Sequence, residues 1–157
     1  MEMIMNPVVD ELAIRHLVAA YADAVNRRDE ALWASTWDQQ GVWDLRGNEF
    51  EGADAIVEMW RGAMQGFSFV VQLVYQGTVE IDGLHATGRW YLAEHLRPAG
   101  SDSGLFNIGT YEDSYVKQDG EWLFARRTYH VLYSDEGKGD MSGTAIPLPG
   151  TPMPIYP

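Results

Sequence analysis

The chain has 157 residues, no cysteine, and 23 acidic against 11 basic residues, which give a net charge of −12. Its length is typical of one domain with a real core, and its charge argues against binding to nucleic acid or to an anionic membrane. Without cysteine, disulfides and thiolate chemistry are excluded, so any reaction must depend on His, carboxylate, Tyr or Arg side chains.

The N-terminal sequence MEMIMNPVVDELAIRHL has neither the basic region nor the long apolar run of a signal peptide. No apolar run approaches the roughly 18 residues that a membrane-spanning helix needs. These features predict a cytoplasmic protein.

The first predicted element is a helix that Asn6 caps and Pro7 opens. Asp23 falls on the solvent side of this helix, and Asp29 precedes EALWASTW, where its side chain can cap a second short helix. Asn26, at the end of the first helix, remains free to point inward. The helix is indicated by apolar residues at three- and four-residue steps, namely Ile14, Leu17, Val18, Tyr21 and Val25.

Two short strand-like pieces around a Gly-Asn turn follow in GVWDLRGNEFEG, and then comes a third helix, ADAIVEMWRGAMQG. Trp60 on this helix is interpreted as a core residue, alongside Ile56, Val57 and Met64. The remaining sequence predicts antiparallel hairpins with turns at Asp82-Gly83 and Asp119-Gly120. Helices followed by strands indicate an α+β fold with helices packed on a curved sheet. The predicted strands are FSFVVQLVYQGTVEI, HATGRWYLAEHLR, GLFNIGTYEDSYVK and EWLFARRTYHVLYS.

The C-terminal segment has a different composition, so we predict one domain over residues 1–135 and a Pro-rich extended tail over 136–157. Five of the seven prolines lie in the last 11 residues, which excludes a helix or an interior strand there. We expect the tail to pack on its own domain or on a neighbouring subunit; a disordered tail is the alternative. The reason is its apolar content, namely Ile146, Leu148, Met153, Ile155 and Tyr156.

Residues 8–135 carry a resemblance to a known family. The run AIRHLVAAYADAVNRRDEALWASTW, the Trp43 strand, the FEGADAIVEMW helix and the closing DGEWLFARRTYHVLYS hairpin resemble SnoaL-like (polyketide-cyclase-like) members of the nuclear transport factor 2-like superfamily. The resemblance implies a cystatin-like α+β barrel, in which a strongly curved mixed or antiparallel sheet forms a cone around an internal apolar cavity. Relatives include dehydratases, dehydrochlorinases, isomerases, cyclases and non-catalytic transport factors, so the fold alone does not fix a function.

Dehydratase and dehydrochlorinase relatives place a catalytic Asp near the end of the first helix and a His on the first long strand. The matching positions of this chain hold Asn26 and Gln72. Neither amide can take a proton at neutral pH, although both can hydrogen-bond a substrate carbonyl or hydroxyl.

Glu94 is the first candidate for moving a proton. Strand alternation places it on one face with Trp90, Leu92 and Leu96, where desolvation would raise the pKa of its carboxyl toward that of a general acid or base. Alternatively, it pairs with an Arg such as Arg127, or a bend turns it out to water. His95 points to the opposite face if the strand is regular, whereas a bulge would let it line the cavity.

The last strand supplies further candidates. Its alternation sets Leu123, Ala125, Arg127, Tyr129, Val131 and Tyr133 against Trp122, Phe124, Arg126, Thr128, His130 and Leu132. Arg127 matches a cavity-facing position of dehydrochlorinase-like relatives and can bind an oxyanion; a surface or dimer-interface ion pair is the alternative.

His130 is the best histidine base candidate, with a satisfied core histidine as the alternative. Tyr111 can donate its phenol to a substrate oxygen. Trp43 and Tyr21 would form the cavity wall, unless they are simply core.

The four histidines have no metal-ligand spacing, and no Gly-rich phosphate loop or dinucleotide fingerprint is present, so neither a metal nor an organic cofactor is predicted. The predicted function is a cofactor-independent enzyme that uses acid–base chemistry to dehydrate, isomerise, eliminate from or cyclise a hydrophobic, ring-containing small molecule. The alternative is a non-catalytic ligand-binding or accessory subunit. Aromatic residues expected on both sheet faces also predict a homodimer through the outer face.

Overall fold

The computed structural model describes residues 6–136 and 143–145, and it confirms the α+β fold. The helices are α1 Pro7–Arg27, α2 Glu30–Ser35 and α3 Ala53–Gln65. The strands are β1 Trp37–Leu45, β2 Asn48–Glu51, β3 Phe67–Asp82, β4 His85–Pro98, β5 Leu105–Gln118, β6 Glu121–Asp135 and β7 Thr144–Ala145.

One mixed sheet carries the fold. Its strand order is β2-β1-β6-β5-β4-β3, with β1 parallel to β6 and the other pairs antiparallel. The sheet is not closed into a barrel, and β3 lies at one end of it. The short β7 pairs with the end of β6. Residues 146–157 lie outside the described residues, so the expected packing of the tail stays a prediction.

The predicted ends of the first two helices are confirmed. The Asn6 side chain accepts hydrogen bonds from the Val8 and Val9 amides, and Arg28 ends α1 in the left-handed conformation with φ 55°. Asp29 then caps α2 by accepting from the Leu32 amide at 3.0 Å. Asp23 is exposed and pairs with Arg27, so its assignment to the outer side of the helix is also correct.

Two of the predicted turns are displaced by one residue. The β1–β2 turn consists of Arg46 and Gly47, with φ of 58° and 92°, and Asn48 already belongs to β2. Two positive φ values are what a tight hairpin with the right-handed twist of its strands requires. Asp82 similarly ends β3, and the turn begins at Gly83. The Asp119-Gly120 turn is confirmed, with φ of 50° and 85°.

Aromatic side chains form the core between the helices and the inner face of the sheet. Trp33 of α2 is fully buried, stacks on Trp60 of α3 at 4.9 Å and contacts Tyr21 and Trp43. The interpretation of Trp60 as core is therefore confirmed. Because this cluster joins all three helices to β1, it fixes the end of α1 against the sheet.

A bulge in β6 changes the predicted alternation of that strand. Phe124 pairs with Tyr115 whereas Arg126 pairs with Ser114, so Ala125 is an extra residue opposite β5. The predicted grouping of Leu123 and Ala125 with Arg127 was wrong for this reason. The buried residues of β6 are Trp122, Phe124, Arg127, Tyr129, Val131, Tyr133 and Asp135.

The exposed apolar surface of the sheet lies on strands other than β6. Trp122, Phe124 and Tyr129 of β6 are buried on the inner side, whereas Tyr133, beyond a second irregularity at Leu132, contacts Phe106 on the outer side. Aromatic residues of β6 therefore occupy both faces, as expected. Within the sheet, the large exposed apolar side chains lie on β3 and β4, at Phe69, Leu73, Tyr75 and Tyr91. None of the helices among residues 6–136 has the length and apolar character needed to cross a membrane.

Candidate active site

Glu94 lies on the inner face of β4, as the alternation predicted, and is 8% exposed. Its Oε1 accepts a hydrogen bond from Gln72 Nε2 at 2.7 Å, and its Oε2 accepts one from the Tyr129 hydroxyl at 2.6 Å. No ion pair joins it to any described Lys, Arg or His, so the predicted alternative of an Arg127 partner was wrong. A carboxyl that is buried among neutral donors is an unusual feature of a core and is typical of functional sites.

Gly109 explains how Tyr129 reaches Glu94 from two strands away. A Cβ at Gly109 would lie 2.5 Å from the Tyr129 ring and 3.0 Å from its hydroxyl. The glycine in the middle of β5 therefore leaves the space through which the phenol crosses from β6 to β4.

Tyr111 completes the polar group, because the second hydrogen of Gln72 Nε2 goes to the Tyr111 hydroxyl at 2.9 Å. Gln72 thus places the Tyr111 phenol and the Glu94 carboxyl side by side. Burial, reinforced by the neighbouring Tyr21 and Glu94, raises the pKa of Tyr111 well above its usual value. Burial likewise raises the pKa of Tyr129, with Glu94 adding to the effect. Both phenols are therefore neutral donors at neutral pH.

Arg127 is fully buried and packs against the ring of Tyr111. Its Nε and Nη2 donate to both carboxylate oxygens of Asp113 at 2.8 and 2.9 Å, and its guanidinium lies 3.7 Å from the centre of the Tyr111 ring. Burial alone would lower the pKa of Arg127, but the Asp113 carboxylate outweighs it and the pKa is raised. The alternative of a surface ion pair was wrong. Because Nε and Nη2 are bound to Asp113, Arg127 could contact a bound oxygen atom only through Nη1, which has no partner among the described residues.

Asn26 faces the backbone of β3 rather than the interior. Its Nδ2 donates to the Gln72 carbonyl at 2.9 Å, and its Oδ1 accepts from the Gln72 amide at 2.7 Å. Sequence reasoning left Asn26 free to bind a substrate, but in the structure its amide is occupied at both ends. Gln72 is correctly placed inside, although both of its side-chain hydrogens are donated to Glu94 and Tyr111.

The two histidine candidates do not belong to this group. His95 is exposed on the face opposite Glu94, where its ring contacts Phe106. His130 lies on the same outer face, 3.5 Å from Glu112. The regular alternation of β4 thus puts His95 on the face opposite Glu94, as expected for a strand without a bulge there. In residues 6–136 and 143–145 no cluster of His, Asp and Glu has the arrangement of a metal site.

Tyr21 and Trp43 are buried, as expected for walls of the interior. Tyr21 contacts the Tyr111 ring at 5.8 Å and so connects α1 to the polar group, and burial raises its pKa to about 12. Trp43 packs on Trp33 and Phe50, which identifies it as part of the aromatic core.

Sequence reasoning missed Asp113 and the role of Tyr129. Alternation in TYEDSYVK places Asp113 on the buried face with Tyr111 and Tyr115, which is the signal that identified Glu94. For Tyr129 the available signal was the glycine inside the neighbouring strand, because such a glycine marks a close approach.

The family model for the SnoaL-like domain matches residues 7–128. The chain belongs to this family, which confirms the resemblance found in its sequence. No protein of curated function matches the sequence.

Solved structures with the same fold include two with named activities. A candidate scytalone dehydratase from Novosphingobium aromaticivorans has 18% identity and a TM-score of 0.80, covering 93% of this chain and 97% of its own. A hexachlorocyclohexane dehydrochlorinase from Novosphingobium barchaimii has 16% identity and a TM-score of 0.77, covering 84% and 92%. A protein of unknown function from Mycobacterium tuberculosis has 27% identity and a TM-score of 0.70, covering 82% and 78%. The likeness to the first two concerns the fold, because such identities do not carry over a reaction.

Proposed function

We propose that this protein is a cofactor-independent enzyme in which Glu94 moves a proton of a hydrophobic, ring-containing small molecule. The observation that carries the proposal is a buried carboxyl, held by Gln72 and Tyr129 without a described cationic partner. Dehydration, isomerisation, elimination and cyclisation all need such a proton carrier. The fold of the dehydratase and dehydrochlorinase neighbours supports the same class of chemistry by analogy.

The hydrogen-bond directions indicate what the substrate supplies. Gln72 Nε2 and the Tyr129 hydroxyl already donate to Glu94, so the carboxylate has only its remaining lone pairs for a ligand. A ligand therefore presents a hydrogen to Glu94. In the proposed step, Glu94 takes a proton from a carbon next to a carbonyl, and the C–H electron pair forms the C=C bond of an enolate.

Tyr111 is the group that meets the negative charge on the enolate oxygen. Its hydroxyl accepts from Gln72 and lies beside the Tyr21 side chain, and in the proposed step it turns its hydrogen toward the substrate oxygen. The Arg127 cation lies against the Tyr111 ring and makes the phenol a stronger hydrogen-bond donor. Arg127 itself does not contact the substrate in this step. Glu94 then returns the proton to another carbon, or to a departing hydroxyl that leaves as water.

Solvent deuterium incorporation tests this proposal without knowledge of the product. We expect the protein to catalyse exchange of deuterium from D2O into some members of a panel of hydrophobic ring ketones and hydroxyketones, followed by NMR. Tyr111→Phe should slow this exchange by about 10²-fold, because one donor to the developing oxyanion is lost. The control is Tyr91→Phe on the exposed outer face, which should leave the rate unchanged. Equal rates for the Tyr111 and Tyr91 variants would remove Tyr111 from the mechanism.

A non-catalytic ligand-binding or accessory role is the second candidate. It is favoured by Asn26 and Gln72 at the positions where relatives carry the Asp–His pair. It is also favoured by the internal hydrogen bonds that the Asn26 amide and the Gln72 NH2 group form. This role predicts binding of hydrophobic ligands with no deuterium incorporation into any of them.

We further propose a homodimer through the outer face of β3 and β4. The exposed side chains Phe69, Leu73, Tyr75 and Tyr91 give this face an apolar patch that a second copy would cover. Light scattering at micromolar concentration should give twice the 17.6 kDa chain mass. A monomer mass would reject the dimer.

A further inference from the structure

We infer that Asn26 is a positioning residue, which sets Glu94 and Tyr111 through the backbone and side chain of Gln72. The inference rests on the proposed function only for the chemical roles of Glu94 and Tyr111. Its basis is a continuous set of four hydrogen bonds. Two join the Asn26 amide to the Gln72 backbone, and two join the Gln72 side chain to Glu94 and Tyr111.

The position of Gln72 in the sheet explains why it needs this support. β3 is an end strand, with β4 on one side only. The Gln72 N–H and C=O both bond to Asn26, so at this residue the backbone points away from β4. The Asn26 amide, with one donor and one acceptor, takes the place of a neighbouring strand. An end strand without such a partner is free to shift, and its side chains shift with it.

Two other side chains also donate hydrogen bonds along the free edge of β3, but neither forms a hydrogen bond with Gln72. Arg28 donates to the Met64 and Phe67 carbonyls, and Arg15 donates to the Gly77 carbonyl. Only Asn26 bonds to the residue whose own side chain orders the carboxyl and the phenol. Arg28→Ala is therefore a matched control, since it loosens the same edge of β3 away from Gln72.

Asn26 also differs chemically from the Asp that relatives carry near the end of this helix. A carboxylate there would accept from the Gln72 amide but would face the Gln72 carbonyl with a second acceptor. A protonated carboxyl would restore the missing donor. Asn26→Asp should therefore raise the pKa of the introduced carboxyl above the roughly 3.9 of a free Asp. The two hydrogen bonds to the Gln72 backbone would be present while this carboxyl is protonated, at pH values below roughly 3.9. They would be lost as the pH rises through the raised pKa.

The test follows Gln72 by NMR, independently of any substrate. In Asn26→Ala the Gln72 backbone amide should exchange with solvent roughly tenfold faster or more, because its acceptor is gone. The Gln72 side-chain NH2 resonances should move as well. In Arg28→Ala the melting temperature should fall, while the Gln72 resonances stay in place. In Asn26→Asp, Gln72 should resemble wild type at low pH and depart from it as the pH rises. Unmoved Gln72 signals in Asn26→Ala, or pH-independent signals in Asn26→Asp, would overturn the inference.

Turnover separates this inference from the proposed function. With a substrate from the deuterium panel, Asn26→Ala should lower kcat about tenfold with little change in KM, because binding surface is kept while the geometry of Glu94 is lost. A rise in KM with unchanged kcat would contradict a positioning role even if the enzyme is active. If Glu94 proves dispensable while the Gln72 signals respond as expected, the function fails but the hydrogen-bonded connection stands.

Discussion

Replacing Glu94 by Gln should reduce turnover by about 10²- to 10⁴-fold, the range that a general base contributes. The amide has the size of the carboxyl but no affinity for a proton at neutral pH. Its oxygen can accept from Gln72, and its NH2 group can donate to the Tyr129 oxygen, so both hydrogen bonds persist with one reversed. The measurement is the rate of deuterium incorporation, together with the melting temperature.

The melting temperature is needed because Glu94 is buried, and it should change little when the hydrogen bonds are kept. Glu112→Gln provides a control on the outer face, where the carboxylate forms an exposed ion pair with Arg89. That variant should retain full activity. Wild-type rates in Glu94→Gln would show that the proton moves elsewhere and would remove the proposed mechanism.

The second large effect concerns stability rather than turnover. Arg127→Met should lower the free energy of unfolding by about 3–5 kcal/mol, because it leaves the Asp113 carboxylate buried without its cation. Both members of the pair are buried, and among the described residues Asp113 keeps only the Tyr115 hydroxyl as a side-chain donor. The loss should appear in urea unfolding monitored by tryptophan fluorescence.

Two further variants establish the cause of that loss. Adding Asp113→Asn to Arg127→Met should recover part of the stability, since neither charge of this pair then remains buried. Arg126→Met, one residue away, removes half-exposed ion pairs with Asp44 and Glu49 and should cost less than about 1 kcal/mol. If Arg126→Met and Arg127→Met were equally destabilising, the buried pair would not be the source.

The parts of the fold that follow local rules could be predicted from the sequence. The Asn6 and Asp29 caps and the apolar face of α1 depend on residues within a turn or two of one another. Glu94 was found because alternation along a regular strand depends only on its immediate neighbours. The same rule placed His95 outside, which is where it lies.

The remaining features depend on contacts between strands that no local pattern records. The extra residue at Ala125 reverses the faces of the first part of β6, and a bulge of this kind shows itself only in the pairing with β5. The Arg127–Asp113 pair joins two strands, so its partner could not be chosen from spacing. Tyr129 reaches Glu94 across β5 only because Gly109 lacks a side chain.

Asn26 shows how a correct position can still suggest the wrong role. Its place at the end of α1 was predicted, but the direction of its side chain depends on where the edge of β3 passes. Because that edge lies within hydrogen-bond distance, the amide pairs with backbone instead of ligand. The proposed chemistry therefore rests on Glu94 and Tyr111, with Tyr129 as a donor to Glu94.

The most direct test of a site around Glu94 is to locate a bound ligand by NMR with ¹³C-labelled tyrosine and histidine rings. A compound that incorporates deuterium, or any hydrophobic ring compound that binds, should shift the ring signals of Tyr111 and Tyr129. The exposed Tyr91 and the outer-face His130 should be unaffected at saturating ligand. Shifts at His130 and His95 with unchanged Tyr111 and Tyr129 would place the ligand on the outer face and contradict a site around Glu94.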